Sequence, residues 1–163
     1  MSGWYNKITA DPDNLLLVIN ANDFYEDELK EALAEVNEDG NIETISAMIP
    51  GIVSFRFNQF QEVEAILEFL NIKLRKIKTE KFKFFMEKYD KTLTTRDADR
   101  YADGEPEIID LSLIINLIAL TRNKYMGIIK GLETKHFQLS NIIKLRIAGM
   151  EDSEINNIYI KRK

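Results

Sequence analysis

Apolar residues alternate at spacings of three and four positions through the middle of this 163-residue chain. The residues that follow this rhythm are Phe60, Val63, Leu67, Leu70, Leu74 and Ile77. Such a heptad pattern is typical of an α-helix that packs against another helix along a seam. The same register continues to Lys81, Phe84 and Lys88, and Arg56 lies one step upstream. The predicted seam is therefore partly cationic at its ends.

A second run, from Glu107 to about Ala148, keeps the same rhythm. At 1.5 Å per residue, a helix of about 40 residues is about 60 Å long, which is too long for a compact globule of this size. A break near Gly131 would shorten the helix, but an extended hairpin or an assembly accounts better for the pattern. Residues 92–107, TLTTRDADRYADGEPE, are polar, so we expect a flexible connection between the two long helices.

The first 50 residues predict shorter helices. Residues 24–36, FYEDELKEALAEV, have an acidic first turn and apolar side chains on one face, which indicates an amphipathic helix that ends near Gly40. Residues 42–48 indicate a further helical turn, which Pro50 and Gly51 interrupt.

The composition excludes several classes of protein. The chain has no cysteine, which rules out a disulfide framework, a thiolate zinc site and a cysteine nucleophile. Only 7 glycines and 3 prolines are present, which favours long helices over a turn-rich fold. The most apolar stretch, Ile108 to Leu120, is shorter than a membrane span and contains Asp110 and Asn116, so we expect a buried or oligomer-forming helix face.

Charge is distributed unevenly along the chain. The net charge is -5, but residues 1–60 carry 3 basic against 11 acidic residues, whereas the rest carries 19 basic against 16 acidic ones. This split of -8 and +3 is typical of an acidic interaction region joined to a basic binding region.

The basic charge is concentrated in the segment KLRKIKTEKFKFFMEKYDK, residues 73–91, with eight basic and three acidic residues. Lysines along a track bind phosphates, and unpaired bases stack on aromatic rings, so the segment predicts a DNA-binding site. The predicted site consists of Arg75, Lys76, Lys78, Lys81, Lys83, Phe84, Phe85 and Lys88. The same composition also fits a solvated basic face with aromatic residues in the core.

We expect no catalytic or metal site. His136 is the single histidine and is interpreted as structural. Asp99, Asp103 and Asp110 match positions of a calcium loop, but Tyr101 stands where a third oxygen ligand belongs, which favours a solvated acidic turn. No phosphate-binding glycine loop or nucleophile motif is present, so we expect no enzymatic activity and no cofactor.

Residues from about Pro50 to Gly149 resemble the UvsY-type recombination mediator proteins of tailed phages. The resemblance rests on three pieces in order: the basic helix LRKIKTEKFKFFMEKY, the Ala102-Asp103 pair, and the closing run HFQLSNIIKLRIAG. Phe84 and Phe85 take the place of the family's aromatic pair. The sequence departs from the family where MEKYDK replaces a small-residue turn that contains glycine, and in the acidic N-terminal region, which has no counterpart.

The resemblance implies a helical ring of six or seven subunits that holds single-stranded DNA on a basic surface. It also implies contacts with a RecA-like recombinase and with a single-strand-binding protein, in the cytoplasm of a phage-infected cell. Lys81 matches a basic DNA-contact position of the family, and Lys78 and Lys83 would substitute for another at Thr79.

We therefore expect an all-α fold, a long helical hairpin with short N-terminal helices, that assembles into a ring-like homo-oligomer. The chain would divide into an acidic region (1–50), the hairpin (51–150) and a basic-ended tail (151–163). The residues expected to join subunits are Leu111, Ile114, Ile118, Tyr125, Ile128, Leu132, Leu139 and Ile142. The expected function is recombination mediation on single-stranded DNA. The alternative is a scaffolding oligomer, a virion or assembly component, whose basic segment pairs with the acidic region of a neighbouring chain.

Overall fold

The computed structural model describes residues 3–38 and 40–149, and within these ranges the chain forms five α-helices and no strand. The helices are α1 (Trp4–Ala10), α2 (Leu15–Asn37), α3 (Ile42–Glu87), α4 (Thr95–Asp103) and α5 (Pro106–Ile147). The expected all-α class is confirmed. The predicted tail, residues 151–163, lies outside the described residues.

Helices α3 and α5 form a long antiparallel hairpin. They contain 46 and 42 residues, so they are about 69 and 63 Å long. An ion pair joins Arg122 to Glu64 near the middle of the hairpin, with a nitrogen-oxygen distance of 2.6 Å. A second pair joins Arg146 to Glu43 at 3.4 Å near the open end. The order of the two pairs along the helices shows that α3 and α5 run antiparallel.

Helix α2 packs along the middle of the hairpin and runs parallel to α5. The hydroxyl of Thr121 lies 2.7 Å from Oδ1 of Asn22, and the hydroxyl of Tyr125 donates to the carbonyl of Tyr25 at 3.3 Å. Further along, the ammonium group of Lys135 donates to carbonyl oxygens in the last turn of α2 and just after it. Because cations stabilise helix C-termini, Lys135 caps α2.

The core of this three-helix bundle contains the predicted seam. Val63 and Leu70 are buried, and the four other seam residues are half-buried and pack against the core. Ile66, which the heptad pattern does not include, is also buried. A two-helix seam is narrow, whereas here residues of α1 and α2 belong to the same core, so a wider apolar face of α3 is used.

The predicted subunit contacts of α5 belong to the same core. Five of the eight are buried and the other three are half-buried within the single chain. The buried ones are Leu111, Ile118, Tyr125, Ile128 and Leu132, and the half-buried ones are Ile114, Leu139 and Ile142. In this conformation the five buried side chains contact their own chain.

Two predicted helix boundaries are wrong. Helix α2 begins at Leu15 rather than at residue 24, and α3 continues through Pro50 and Gly51 instead of being interrupted there. A proline inside a helix lacks one N–H donor and costs about 3 kcal/mol. The core contacts of Ile49 and Ile52, on both sides of Pro50, offset this cost.

The connection between the long helices is also more ordered than predicted. Residues 95–103 form α4, and Thr94 caps it by accepting a hydrogen bond from the N–H of Asp97 at 3.2 Å. Ala98 and Ala102 are fully buried, and together with Phe85 they form a small second core. The connection therefore folds back onto the end of α3.

Arg56, one of the cations at the seam, is almost completely buried, with 2 % of its surface exposed. Its guanidinium donates to Glu35 at 2.7 and 2.8 Å, to Glu28 at 2.9 Å and to Gln59 at 2.9 Å. Burial alone would lower the pKa of Arg56, but the hydrogen bonds and charges of Glu35 and Glu28 outweigh burial and raise it. Two acids of the negatively charged N-terminal region thus neutralise a cation in the core.

Among residues 3–38 and 40–149, no helix combines the length and the hydrophobicity needed to cross a membrane.

Candidate nucleic-acid interface

The basic end of the hairpin comprises the last turns of α3 and the turn that follows it, residues 73–91. Lys76 and Lys83 are seven residues apart, which is two helical turns, so they lie on the same side of α3. Arg75 lies beside Lys76. All three side chains are exposed and form no ion pair with any residue in the described ranges. They constitute a free cationic face on an acidic chain.

Two further lysines of the predicted site face other helices instead. The ammonium group of Lys78 lies 2.8 Å from Asp103 and 3.3 Å from Asp99, both on α4. The ammonium group of Lys81 lies 3.2 Å from Glu105 and 3.4 Å from Glu107, at the start of α5. These hydrogen bonds, led by that of Asp103 for Lys78 and that of Glu105 for Lys81, raise the pKa of each lysine.

Lys73 contacts the N-terminal region. It donates to the carbonyl oxygen of Pro12 and forms an ion pair with Asp13 at 3.1 Å. The connection between α1 and α2 therefore lies against the start of the basic end. Of the eight cations in residues 73–91, Lys73 is the one that binds the acidic N-terminal region within the described part of the chain.

The aromatic residues of the predicted site separate into one exposed ring and one buried ring. Phe84 is about half exposed, whereas Phe85 is 7 % exposed and contributes to the second core. Lys88 is the C-cap residue of α3, where it is exposed and forms no ion pair with a described residue. Phe84 and Lys88 therefore lie at the tip of the hairpin.

Two exposed rings that the sequence reasoning did not assign to the site, Tyr89 and Tyr101, also lie at this tip. Tyr89 belongs to the basic segment 73–91, whereas Tyr101 lies outside it, in the segment that partly matches a calcium loop. Tyr101 is one residue before buried Ala102 and packs beside Phe85. The sequence signal for this position of Tyr101 is the four-residue spacing of Ala98 and Ala102. Two small residues on one side of a helix indicate that α4 packs on another element.

The segment with partial likeness to a calcium loop is largely helical, and two of its carboxylates bind Lys78. Across residues 3–38 and 40–149, no group of three or more histidine, cysteine or acidic side chains is arranged to hold a metal. Nδ1 of His136 is buried without a hydrogen-bond partner.

An exposed apolar stripe on α5 is the second candidate surface. It comprises Ile109, Leu113, Leu117 and Leu120, whose spacings of four, four and three place them on one side of the helix. Leu113 is the most exposed, at 62 %. Leu16 and Ile19 of α2 are exposed apolar residues as well. Contiguous exposed apolar side chains mark interaction surfaces, so this α5 stripe is available to a partner.

No family model, curated protein or solved structure matches this chain.

Proposed function

We propose that this protein is a non-enzymatic single-stranded-DNA-binding protein and that the basic end of its hairpin binds the strand. The observation that carries the proposal is the free cationic face formed by Arg75, Lys76 and Lys83 on a chain whose net charge is -5. Cations that are not neutralised by carboxylates remain available to phosphates, and each contact with a phosphate releases a bound counterion.

The length of the cationic track supports a strand of several nucleotides. From Arg75 to Lys88 the helix rises about 20 Å. Lys78 and Lys81 extend the track only when their carboxylate partners release them, because Asp103 and Glu105 now occupy their ammonium groups. Arg75, Lys76 and Lys83 therefore form the primary contact, and the C-cap Lys88 adds a cation at the tip of the hairpin.

The role in recombination rests on the resemblance to the UvsY-type mediators. In this proposal the protein helps to load a RecA-like recombinase onto the strand while a single-strand-binding protein is displaced. The ring-like oligomer belongs to the same proposal. The exposed α5 stripe supplies its subunit contact, because most of the apolar residues that the sequence suggested for this purpose pack inside the chain.

A salt titration with a labelled single-stranded oligonucleotide tests the proposal. We expect the logarithm of the binding constant to fall steeply and linearly with the logarithm of the salt concentration. A duplex of the same length serves as the comparison. Binding that is absent at low salt, or that does not respond to salt, would contradict the proposal.

A scaffolding oligomer without DNA binding is the second candidate function, and the ion pairs of Lys78 and Lys81 are the observation that favours it. In these pairs, carboxylates of the same chain neutralise two of the cations, which then stabilise the fold instead of binding phosphates. Light scattering with and without the oligonucleotide separates the two functions. Assembly to a defined mass with no measurable DNA affinity would select the scaffold.

A further inference from the structure

Four aromatic rings converge at the tip of the hairpin, around Phe85. The ring centroid of Phe85 lies 5.5 Å from that of Phe84, 5.5 Å from that of Tyr89 and 5.6 Å from that of Tyr101. Tyr89 and Tyr101 are themselves 6.1 Å apart, with an angle of 35° between their planes. Phe85 is buried beneath the other three rings, which are between 40 % and 50 % exposed.

The docking of α4 on α3 does not require the exposed surface of the tyrosine rings. The buried contact between α3 and α4 is made by Phe85, Ala98 and Ala102, which together exclude water. Tyr89 and Tyr101 pack their edges or one face against this contact and leave a large part of each ring in solvent. Exposed, fixed aromatic rings provide contact area for a ligand with little loss of side-chain entropy.

The two tyrosines come from different parts of the chain. Tyr89 lies in the turn after α3, and Tyr101 lies on α4, so the docking of α4 sets their relative position. The geometry is therefore preorganised by tertiary structure. Two cations lie beside the rings: Lys88 directly precedes Tyr89, and Arg100 lies with Tyr101 and Asp97 at a small surface depression.

We propose that Tyr89 and Tyr101, together with Phe84, form a base-stacking platform for unpaired nucleobases, at the end of the phosphate-binding track. The combination of exposed ring faces with free cations favours a single strand over an apolar protein partner, because stacking uses the rings while the adjacent cations bind the phosphates. A duplex does not offer its base faces and is excluded from the platform. This inference rests on the proposed function, which it deepens by naming the bases as ligands.

The test compares three variants with the wild type on a single-stranded oligonucleotide that contains 2-aminopurine, whose fluorescence reports stacking. Y89L/Y101L retains apolar cover over Phe85 but removes both rings. Y89F/Y101F retains the ring faces, and Y5L removes an exposed tyrosine from α1, far from the tip. Circular dichroism checks that each variant keeps its helices.

We expect Y89L/Y101L to bind about tenfold more weakly or worse, with a smaller change in 2-aminopurine fluorescence. The salt dependence of its binding should equal that of the wild type, because no phosphate contact is lost. Y89F/Y101F and Y5L should bind like the wild type. If Y89L/Y101L does not fold, Y89L alone, which changes a residue outside the helices, should show a smaller loss of the same kind.

Unchanged affinity and unchanged 2-aminopurine fluorescence in the folded tyrosine-to-leucine variant would overturn the platform and leave the proposed function standing, provided that the wild type binds in a salt-dependent manner. A wild type that does not bind the oligonucleotide would overturn both.

Discussion

The ammonium group of Lys78 lies 2.8 Å from Oδ1 of Asp103, so a lysine of the predicted DNA-binding segment is held by a carboxylate of the same chain. Asp99 adds a second carboxylate at 3.3 Å. Both acids belong to α4, which the sequence suggested was a flexible connection. Helix α4 therefore neutralises part of the basic end while it docks on α3.

Removing these two carboxylates should strengthen DNA binding. D99N/D103N frees Lys78 for a phosphate, so we expect tighter binding of single-stranded DNA at low salt and a salt dependence steeper by about 0.7 in the logarithmic plot, the value for one added phosphate contact. Fluorescence anisotropy across a salt series measures both quantities.

The control for this variant is E87Q/D110N, which removes two exposed acids near the same end that form no ion pair with a described residue. It changes the net charge equally without freeing a lysine. If both double variants steepen the salt dependence by the same amount, the effect belongs to the overall charge and not to the release of Lys78.

The buried guanidinium of Arg56 should be among the largest single contributions to stability. R56A leaves the carboxylates of Glu28 and Glu35 facing each other without their cation, and breaking a buried ion pair in this way costs about 3–5 kcal/mol. Urea unfolding followed by circular dichroism measures the change in the free energy of unfolding.

A triple variant, R56M/E28Q/E35Q, tests the reason for that loss. Since it removes the cation and both charges together, it should be less destabilised than R56A. Equal losses in the two variants would show that packing around the side chain, rather than unpaired charge, accounts for the effect.

The seam lysines show what the sequence could and could not predict. The heptad pattern correctly indicated the two long helices and most of the buried positions of α5, because a long hydrophobic period depends only on local geometry. It also placed Lys81 on the seam. Because seam positions are normally apolar, a lysine there was interpreted as part of the DNA-binding site. The partners Glu105 and Glu107 could not be assigned, since they depend on the hairpin register, which the heptad pattern does not specify.

The apolar residues of α5 show a related limit. Their spacing predicts that Leu111 and Ile118 are buried, which is confirmed, but a pattern does not identify what buries them. Here α2, which is longer than the sequence suggested, joins α3 and α5 in one core. Lys135 interrupts the apolar pattern because it caps α2, a contact between residues almost 100 positions apart.

The exposed α5 stripe leads to a prediction about self-association. If copies of the chain associate through it, L113K/L120K should reduce the mass measured by sedimentation velocity while leaving the helical content unchanged, because both side chains are exposed in the single chain. I147K, which changes a highly exposed residue at the end of α5, is the control. An unchanged oligomer mass in L113K/L120K would exclude the stripe as the subunit contact.

Stability should decrease in alkaline solution because of Tyr125. Burial raises the pKa of its phenol, and the charge of Arg56 offsets this only in part. The unfolded chain loses this proton near pH 10, whereas the folded chain keeps it to higher pH. The contribution of the Tyr125 phenol to the free energy of unfolding is therefore fully present below about pH 10 and is lost as the pH rises above that value.

Urea midpoints between pH 8 and 11 measure this loss. Y125F lacks the ionisable group, so its midpoint should fall less above about pH 10 than that of the wild type. Y5F, which changes an exposed tyrosine, should follow the wild type. Parallel curves for the wild type and Y125F would contradict the assignment.

The most direct test of the central claim is the salt-dependent affinity of a charge-reversal variant of the free cationic face. R75E/K76E/K83E should lose at least tenfold in affinity for single-stranded DNA, and its salt dependence should be shallower by about 2, the value for three lost phosphate contacts. The matched control, K7E/K130E/K144E, reverses three exposed lysines elsewhere, none of which forms an ion pair with a described residue. It should retain most of the affinity and the wild-type salt dependence. Equal losses in both variants, or wild-type binding by R75E/K76E/K83E, would contradict DNA binding at the basic end.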